Sequence, residues 1–163
     1  GAYGGEMKQV VTSVTALIPE DGIRTLTAEK LDFGYRHSFF SDHPDAVVLR
    51  ATVALTEDDP AGIREKMQDF MSRRKASQPL EFPSAGSTFK RPAGHFAGTL
   101  IDQCGLKGLT VGGAQVSEKH AGFVINRGGA TFDDVTELMR QVQQRVYAET
   151  GVRLEPEVRI VEA

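Results

Sequence analysis

The chain has 163 residues, 40% hydrophobic and 25% charged, with a formal net charge of -3. That length suits one domain or two small lobes with a real core; the charge offers no basic footprint for nucleic acid, and no apolar run approaches a membrane span. The single cysteine, Cys104, excludes an internal disulfide framework and makes a reducing, cytoplasmic setting the default expectation.

The chain opens Gly1-Ala2-Tyr3-Gly4-Gly5-Glu6. A glycine-rich turn reads like the middle of a loop, so a segment of a larger protein is expected. Val10 to Leu17 is a β-branched run closed by the turn signal Pro19-Glu20-Asp21-Gly22, with Ile23 to Leu26 as its hairpin partner. Thr27 is placed to cap one turn through Ala28, Glu29 and Lys30. In Phe33-Gly34-Tyr35-Arg36-His37-Ser38 an Arg stands among aromatic residues. It is either a cation held at a reactive centre or a surface Arg covering a sheet edge, and the residues alone leave both open. Ala46 to Leu55 is the best strand of the chain.

Asp58 or Asp59 followed by Pro60 predicts a helix start. Ile63, Met67, Phe70 and Met71 fall on one apolar stripe, with Arg64, Glu65, Lys66 and Gln68 on the other face. The helix closes on Arg73-Arg74-Lys75, a basic end that suits the dipole. The stretch Pro83-Ser84-Ala85-Gly86-Ser87-Thr88-Phe89-Lys90-Arg91-Pro92 packs hydroxyls, a glycine and two cations between prolines. Gly86 permits positive φ or a close approach to a bound group. Lys90 and Arg91 suit an anion such as a pyrophosphate, and Ser87 is a hydroxyl held on an electropositive loop. The plain alternative is a turn between two helices.

Phe96, Ala97, Leu100, Ile101 and Cys104 mark a short amphipathic helix with Gly105 at its left-handed end. Cys104 reads as core rather than nucleophile. Leu109 to Val116, interrupted by Gly112-Gly113, reads as a bent or bulged strand. Ser117 to Gly122 is a tight connection and Phe123 to Asn126 a strand. His120 beside Lys119 is a proton carrier or a structural residue. No second His, Cys or acidic residue has metal-ligand spacing, so no metal is expected. Thr131 opens the last helix with Asp133 and Asp134 in its first turn, and Val135, Leu138, Met139, Val142 and Val146 form its buried stripe to Gly151. Val152 to Val161 reads as a strand, with Pro156 keeping it to an edge or bulge. Glu157, inside that run, is a half-buried general acid or an outward-facing residue of an alternating strand.

Taken together, Gly1 to Glu6, Phe33 to Ser38, Pro83 to Pro92 and Leu154-Glu155-Pro156-Glu157-Val158-Arg159 resemble the bacterial UDP-N-acetylenolpyruvoylglucosamine reductase family. So do Gly105-Leu106-Lys107-Gly108 and Lys119-His120-Ala121-Gly122-Phe123. The shorter type II form is the nearest in pattern. The resemblance implies an α+β fold of antiparallel or mixed sheets with flanking helices. Residues 1–76 would be the later part of a flavin-binding lobe, 77–153 the substrate lobe, and 154–163 a terminal strand returning to the flavin lobes. The family's N-terminal flavin loop has no counterpart in this sequence.

The implied activity is an FAD-dependent, NADPH-using oxidoreductase (flavoprotein) of peptidoglycan synthesis, serving cell wall, cell shape and cell division. Its substrate is UDP-N-acetylglucosamine enolpyruvate and its product UDP-N-acetylmuramate. By the same resemblance Ser87 is the proton donor, with Arg36 and Glu157 the enolate-stabilising pair. Lys75, Gly86, Lys90 and Arg91 contact the substrate, although many relatives carry Asn where Arg91 stands. Gly1, Ala2, Tyr3, Gly4 and Tyr35 contact the cofactor. The 163-residue chain alone is expected to hold FAD weakly or not at all, to be nearly inactive, and to self-associate through its exposed flavin-facing surface. The alternatives are a non-catalytic nucleotide-sugar lobe, or another oxidoreductase of the same flavin-binding superfamily.

Overall fold

β-Branched runs build the first sheet, and only its central strand carries buried residues. In the computed structural model, which describes residues 2–161, β1 (Val11–Ile18), β2 (Gly22–Thr27) and β3 (Val47–Val53) form an antiparallel sheet of order β2-β1-β3. The turn after β1 puts Glu20 at φ 69°, following Pro19, the arrangement of a type II turn. Central β1 buries Val11, Val14 and Ala16. Its small core also takes in Leu31, with Leu26, Phe33 and Phe40 packed around it. Leu31 ends a 3-10 turn, Ala28–Leu31, that starts after Thr27 as expected, although the Thr27 side chain makes no capping bond. Two elements were not legible in the sequence: a 3-10 turn at Met7–Gln9 and the four-residue helix α1 (Phe39–Asp42), whose Ser38 and Ser41 form a reciprocal cap.

Helix α2 (Pro60–Ser77) starts where expected: the Asp59 carboxylate accepts from the Gly62 amide at 2.8 Å. Its apolar stripe stands largely in solvent. Ile63, Met67 and Met71 stand 42%, 66% and 50% exposed, and no residue of the helix is buried. A periodic stripe shows which face is apolar, but burial needs a covering surface, which the sequence pattern does not specify. Contacts divide the chain into two compact units, Gly1–Met67 and Gln68–Ala163.

The second unit carries the larger core. Strands β4 (Ser84–Ser87), β5 (Thr110–Val111), β6 (Ala114–Val116) and β7 (Phe123–Asn126) form an antiparallel sheet of order β4-β7-β6-β5. Helices α3 (Ala97–Gln103) and α4 (Phe132–Thr150) pack with it. On α4, Leu138, Met139, Val142 and Val146 are buried and Val135 packs against the cluster, meeting Ile101, Ala114 and Val116 in one core. Thr131 caps α4 reciprocally with Asp134, and Gly151 ends it at φ 72°. Gly105, at φ 65°, follows α3 as expected. Among the described residues no helix is long and apolar enough to cross a membrane.

Three sequence expectations are corrected in this unit. Residues 109–116 are not one bent strand but the hairpin β5-β6, because Gly112-Gly113 closes a two-residue turn with Gly112 at φ 51°. Part of the Pro83–Pro92 stretch is not loop, since Ser84–Ser87 pairs with β7 across a bulge. The segment 152–161 is not a strand. It makes one isolated bridge, Phe89 to Pro156, because proline removes an amide from any longer ladder.

Candidate functional site

Two tight turns line one cleft in the first unit. Ala2 and Gly5 exchange backbone bonds of 3.0 Å across Tyr3 and Gly4, both at positive φ (50° and 82°). Gly34 and His37 do the same at 3.0 and 3.3 Å across Tyr35 and Arg36. The cleft between the turns has a volume of about 650 Å³ and is lined by Ala2 to Lys8 and Phe33 to His37. Five residues singled out in the sequence (Ala2, Tyr3, Gly4, Tyr35 and Arg36) are thus brought to one place; Gly1 lies outside the described residues.

Arg36 sits at φ 54°. That left-handed position of a two-residue turn is normally given to glycine or asparagine, and an unbranched cation there carries a backbone cost of about 1–2 kcal/mol. Such strain persists where the surroundings hold it, and it clusters at working sites. The guanidinium lies 5.3 Å from the centroid of the exposed Tyr35 ring, a cation–π contact.

The second group of residues gathers in the second unit, around Thr88. This threonine is 3% exposed. Its amide donates to the Gly122 carbonyl at 2.8 Å, and its hydroxyl accepts from the Val124 amide at 3.0 Å. Its carbonyl accepts from the Glu157 amide at 2.8 Å. Ser87, exposed at the end of β4 opposite Phe123, and half-buried Glu157, remote in the chain, are therefore tied to one buried residue. Gly86 stands at φ 83° beside Ser87, where a Cβ would be strained.

Lys90 and Arg91, two of the cations named in the sequence, are occupied locally. The Lys90 amide donates to the Glu155 carbonyl at 2.8 Å, and its ammonium faces the Glu155 carboxylate at 3.4 Å. Arg91 lies 3.9 Å over the Phe96 ring. Lys75 is exposed, and its carbonyl accepts from Lys119 Nζ at 2.7 Å. Lys119 thus covers the C-terminal end of α2 while also facing Glu81 at 3.7 Å. His120 accepts at Nδ1 from the Gly122 amide at 3.1 Å, stacks edge-on to Phe123, and anchors the connection that leads into β7. Cys104 is partly buried, and desolvation followed by the nearby Glu149 pushes its thiol pKa up, which suits a packing residue and not a nucleophile.

Thr88 and His37 were not singled out in the sequence, because nothing local marks a hydroxyl or a ring whose partners are distant. Asp32, His37 and Asp42 bring their ligand-capable atoms within 4.8 Å of one another, a grouping that the linear spacing did not suggest.

Residues 78–161 match the family model described as UDP-N-acetylenolpyruvoylglucosamine reductase, C-terminal domain. The UDP-N-acetylenolpyruvoylglucosamine reductase of Levilactobacillus brevis is 53% identical over 161 residues, 99% of this chain and 53% of the relative. That of Pediococcus pentosaceus is 52% identical over the same shares. The crystal structure of UDP-N-acetylenolpyruvylglucosamine reductase from Thermus caldophilus superposes with a TM-score of 0.81 at 38% identity, covering 96% of this chain and 55% of that one. The chain spans about half the length of the relatives it matches.

Proposed function

The chain belongs to the UDP-N-acetylenolpyruvoylglucosamine reductase family, and on that premise we propose that its residues supply the proton-donating and charge-stabilising half of an enolpyruvyl reduction in peptidoglycan synthesis. The observation that carries the reading is the convergence of Ser87 and Glu157 on buried Thr88. The backbones at Ser87 and Glu157 are thereby brought beside each other from two remote stretches, which supports reading the pair as one reacting group.

The substrate in this reading is UDP-N-acetylglucosamine enolpyruvate. Reduction adds hydride to C3 of the enolpyruvyl double bond and leaves an enolate, and a proton then closes C2. Arg36 directs its guanidinium at the developing enolate charge, which is electrostatic stabilisation of the transition state. Glu157, when protonated, donates a second hydrogen bond to the same oxygen. Ser87 delivers the proton to C2, and since a serine hydroxyl is a weak acid in water, it needs orientation and a water relay to replace the proton it gives. Lys75, Gly86, Lys90 and Arg91 line the approach of the diphosphate, where Lys acts as a point charge and Arg as a donor fork.

The cofactor in this reading is FAD, which when bound supplies the hydride received from NADPH. The cleft of Tyr3, Gly4, Tyr35 and Arg36 fits part of such a group: it offers two partly exposed aromatic rings, glycine backbone that permits close approach, and a guanidinium. We place the activity in an assembly of the relatives' full length. The 163-residue chain alone then binds FAD weakly or not at all and is nearly inactive with NADPH. Exposed apolar residues on β3 and α2, among them Val47, Leu49 and Met67, support its self-association. The experiment is substrate-dependent NADPH oxidation by an enzyme of full length that carries these 163 residues. Oxidation that requires the enolpyruvyl nucleotide is expected. A full-length, flavin-loaded protein that reduces other acceptors but never this substrate would overturn the reading in favour of another oxidoreductase of the superfamily.

A further inference from the structure

The ring of His37 is held from both sides by atoms that only accept hydrogen bonds. Nδ1 lies 3.1 Å from the Asp32 carbonyl oxygen, and Nε2 lies 3.0 Å from the Asp42 carboxylate. A neutral imidazole carries one proton and would turn a bare lone pair onto one of these oxygens. The geometry is that of a doubly protonated ring. A metal ligand needs a nitrogen lone pair that is free of a proton, so the same geometry argues against a cation held by this trio.

The ring also closes the Arg36 turn. His37 is the residue that exchanges backbone bonds with Gly34 around Tyr35 and Arg36. Asp32 follows the 3-10 turn Ala28–Leu31 and is itself left-handed at φ 44°, while Asp42 belongs to α1. Neither element is long enough to be stable by itself. A charged ring between them fixes both, and with them the strained turn that they flank.

From this geometry we propose that His37, as an imidazolium bridging Asp32 and Asp42, is the positioning residue that holds the Tyr35–Arg36 turn in its strained conformation and so aims Arg36 into the cleft. The proposal rests on the reading of Arg36 given above. Of the elements around the ring, the 3-10 turn contributes Asp32, α1 contributes Asp42, and its own turn contributes Arg36 one residue away. The two carboxylates face the ring and offset the neighbouring guanidinium. The bond to the Asp32 carbonyl, then that to Asp42, raises the His37 pKa. Because the folded value is raised, the clamp is complete below the ordinary histidine value and opens as pH climbs through the folded one. The aim of Arg36 is thereby loosened as pH rises.

The test is nuclear magnetic resonance on the chain itself, with ring nitrogens observed directly and amide exchange measured against pH. Both His37 nitrogens should carry protons at pH 6, and the Gly34 and His37 amides should exchange roughly tenfold faster, relative to the unfolded-chain rate at the same pH, once the ring titrates, the effect of losing about one net hydrogen bond. Asp42→Asn should move the ring midpoint and the exchange transition down together, a coupling that a merely structural histidine would not show. His37→Gln should speed the exchange of both amides at every pH. A singly protonated ring at pH 6 would overturn the proposal, as would exchange that ignores the ring's titration, or ring signals that shift when EDTA is added. If ring and turn titrate together while Arg36→Lys leaves turnover of the full-length enzyme unchanged, the clamp stands and the reading of Arg36 falls.

Discussion

The hairpin that supports β7, and through it Ser87, turns on two adjacent glycines that should respond differently to a single added methyl. A Cβ on Gly113 would meet backbone: the Ala130 amide nitrogen, the Gly128 carbonyl oxygen at 2.5 Å and the Ala130 Cα at 2.7 Å, where ordinary contact begins near 3.4 Å. The 128–130 loop cannot retreat without pulling at the bond from the Arg127 amide to the Gly113 carbonyl, 2.9 Å long. Overpacking of this kind costs about 1–3 kcal/mol and the strained bond about 0.5–1.5 kcal/mol more. Gly113→Ala should thus lose roughly 1.5–4.5 kcal/mol. The nearest atoms to a Cβ on Gly112 are those of the Asp134 carboxylate, the end of a side chain that can turn aside by giving up its bonds from the Thr131 and Gly113 amides. There the cost is the left-handed φ of 51°, about 1–2 kcal/mol, with a lost cap bond about 0.5–1.5 kcal/mol more. The assay is hydrogen exchange of α4 peptides across a urea series, which reads the second unit alone. If Gly113→Ala lay within about 0.5 kcal/mol of the parent protein, the range of ordinary surface changes, the proposed packing of hairpin on loop would be wrong.

Leu138→Ala should destabilise the second unit by about 2–5 kcal/mol, the range for emptying a core leucine site, since Leu138 is 0% exposed; the same urea series reads it, and a loss near zero would remove α4 from the core. Asp134 supplies a pH prediction. Amides of Thr131 and then Gly113 hold its carboxyl below the ordinary value of 3.8. With the folded pKa lowered, its contribution is complete above 3.8 and is lost as pH falls through the folded value. Protection in the first turn of α4, taken relative to the unfolded-chain exchange rate at each pH, should therefore fall on acidification, and Asp134→Asn should flatten that response; an unchanged response in the variant would place the acid sensitivity elsewhere.

What was legible in the sequence was local chemistry. Thr131 with Asp134 spells a reciprocal cap three residues apart, and Phe123 to Asn126 appears as the strand that a short apolar run between turns predicts. What was not legible depends on remote surfaces. The stripe of Ile63, Met67 and Met71 has the right period, yet nothing in that period says what covers it. The terminal segment looked like a strand by composition, but Pro156 leaves it one bridge, with flanking bonds from Lys90 to Glu155 and from Glu157 to Thr88. Gly112-Gly113 could mark either a bulge or a turn, and only the pairing of Val111 with Ala114 decides between them. The site divides the same way. Arg36, Ser87 and Glu157 each stood out by residue type, but the tie of Ser87 to Glu157 runs through a threonine that no local pattern marks. The ring of His37 likewise gains its meaning from an aspartate on each side.

The central claim is that Ser87 gives the proton and takes no part in delivering hydride. Rapid mixing of the full-length enzyme separates the two half-reactions. In Ser87→Ala, reduction of the enzyme by NADPH should keep its rate, while reoxidation by the enolpyruvyl nucleotide should slow by about 10²–10⁴-fold, the usual contribution of a general acid. Slower reduction by NADPH with reoxidation by the nucleotide spared would contradict the assignment and leave the Pro83–Pro92 stretch a binding element only.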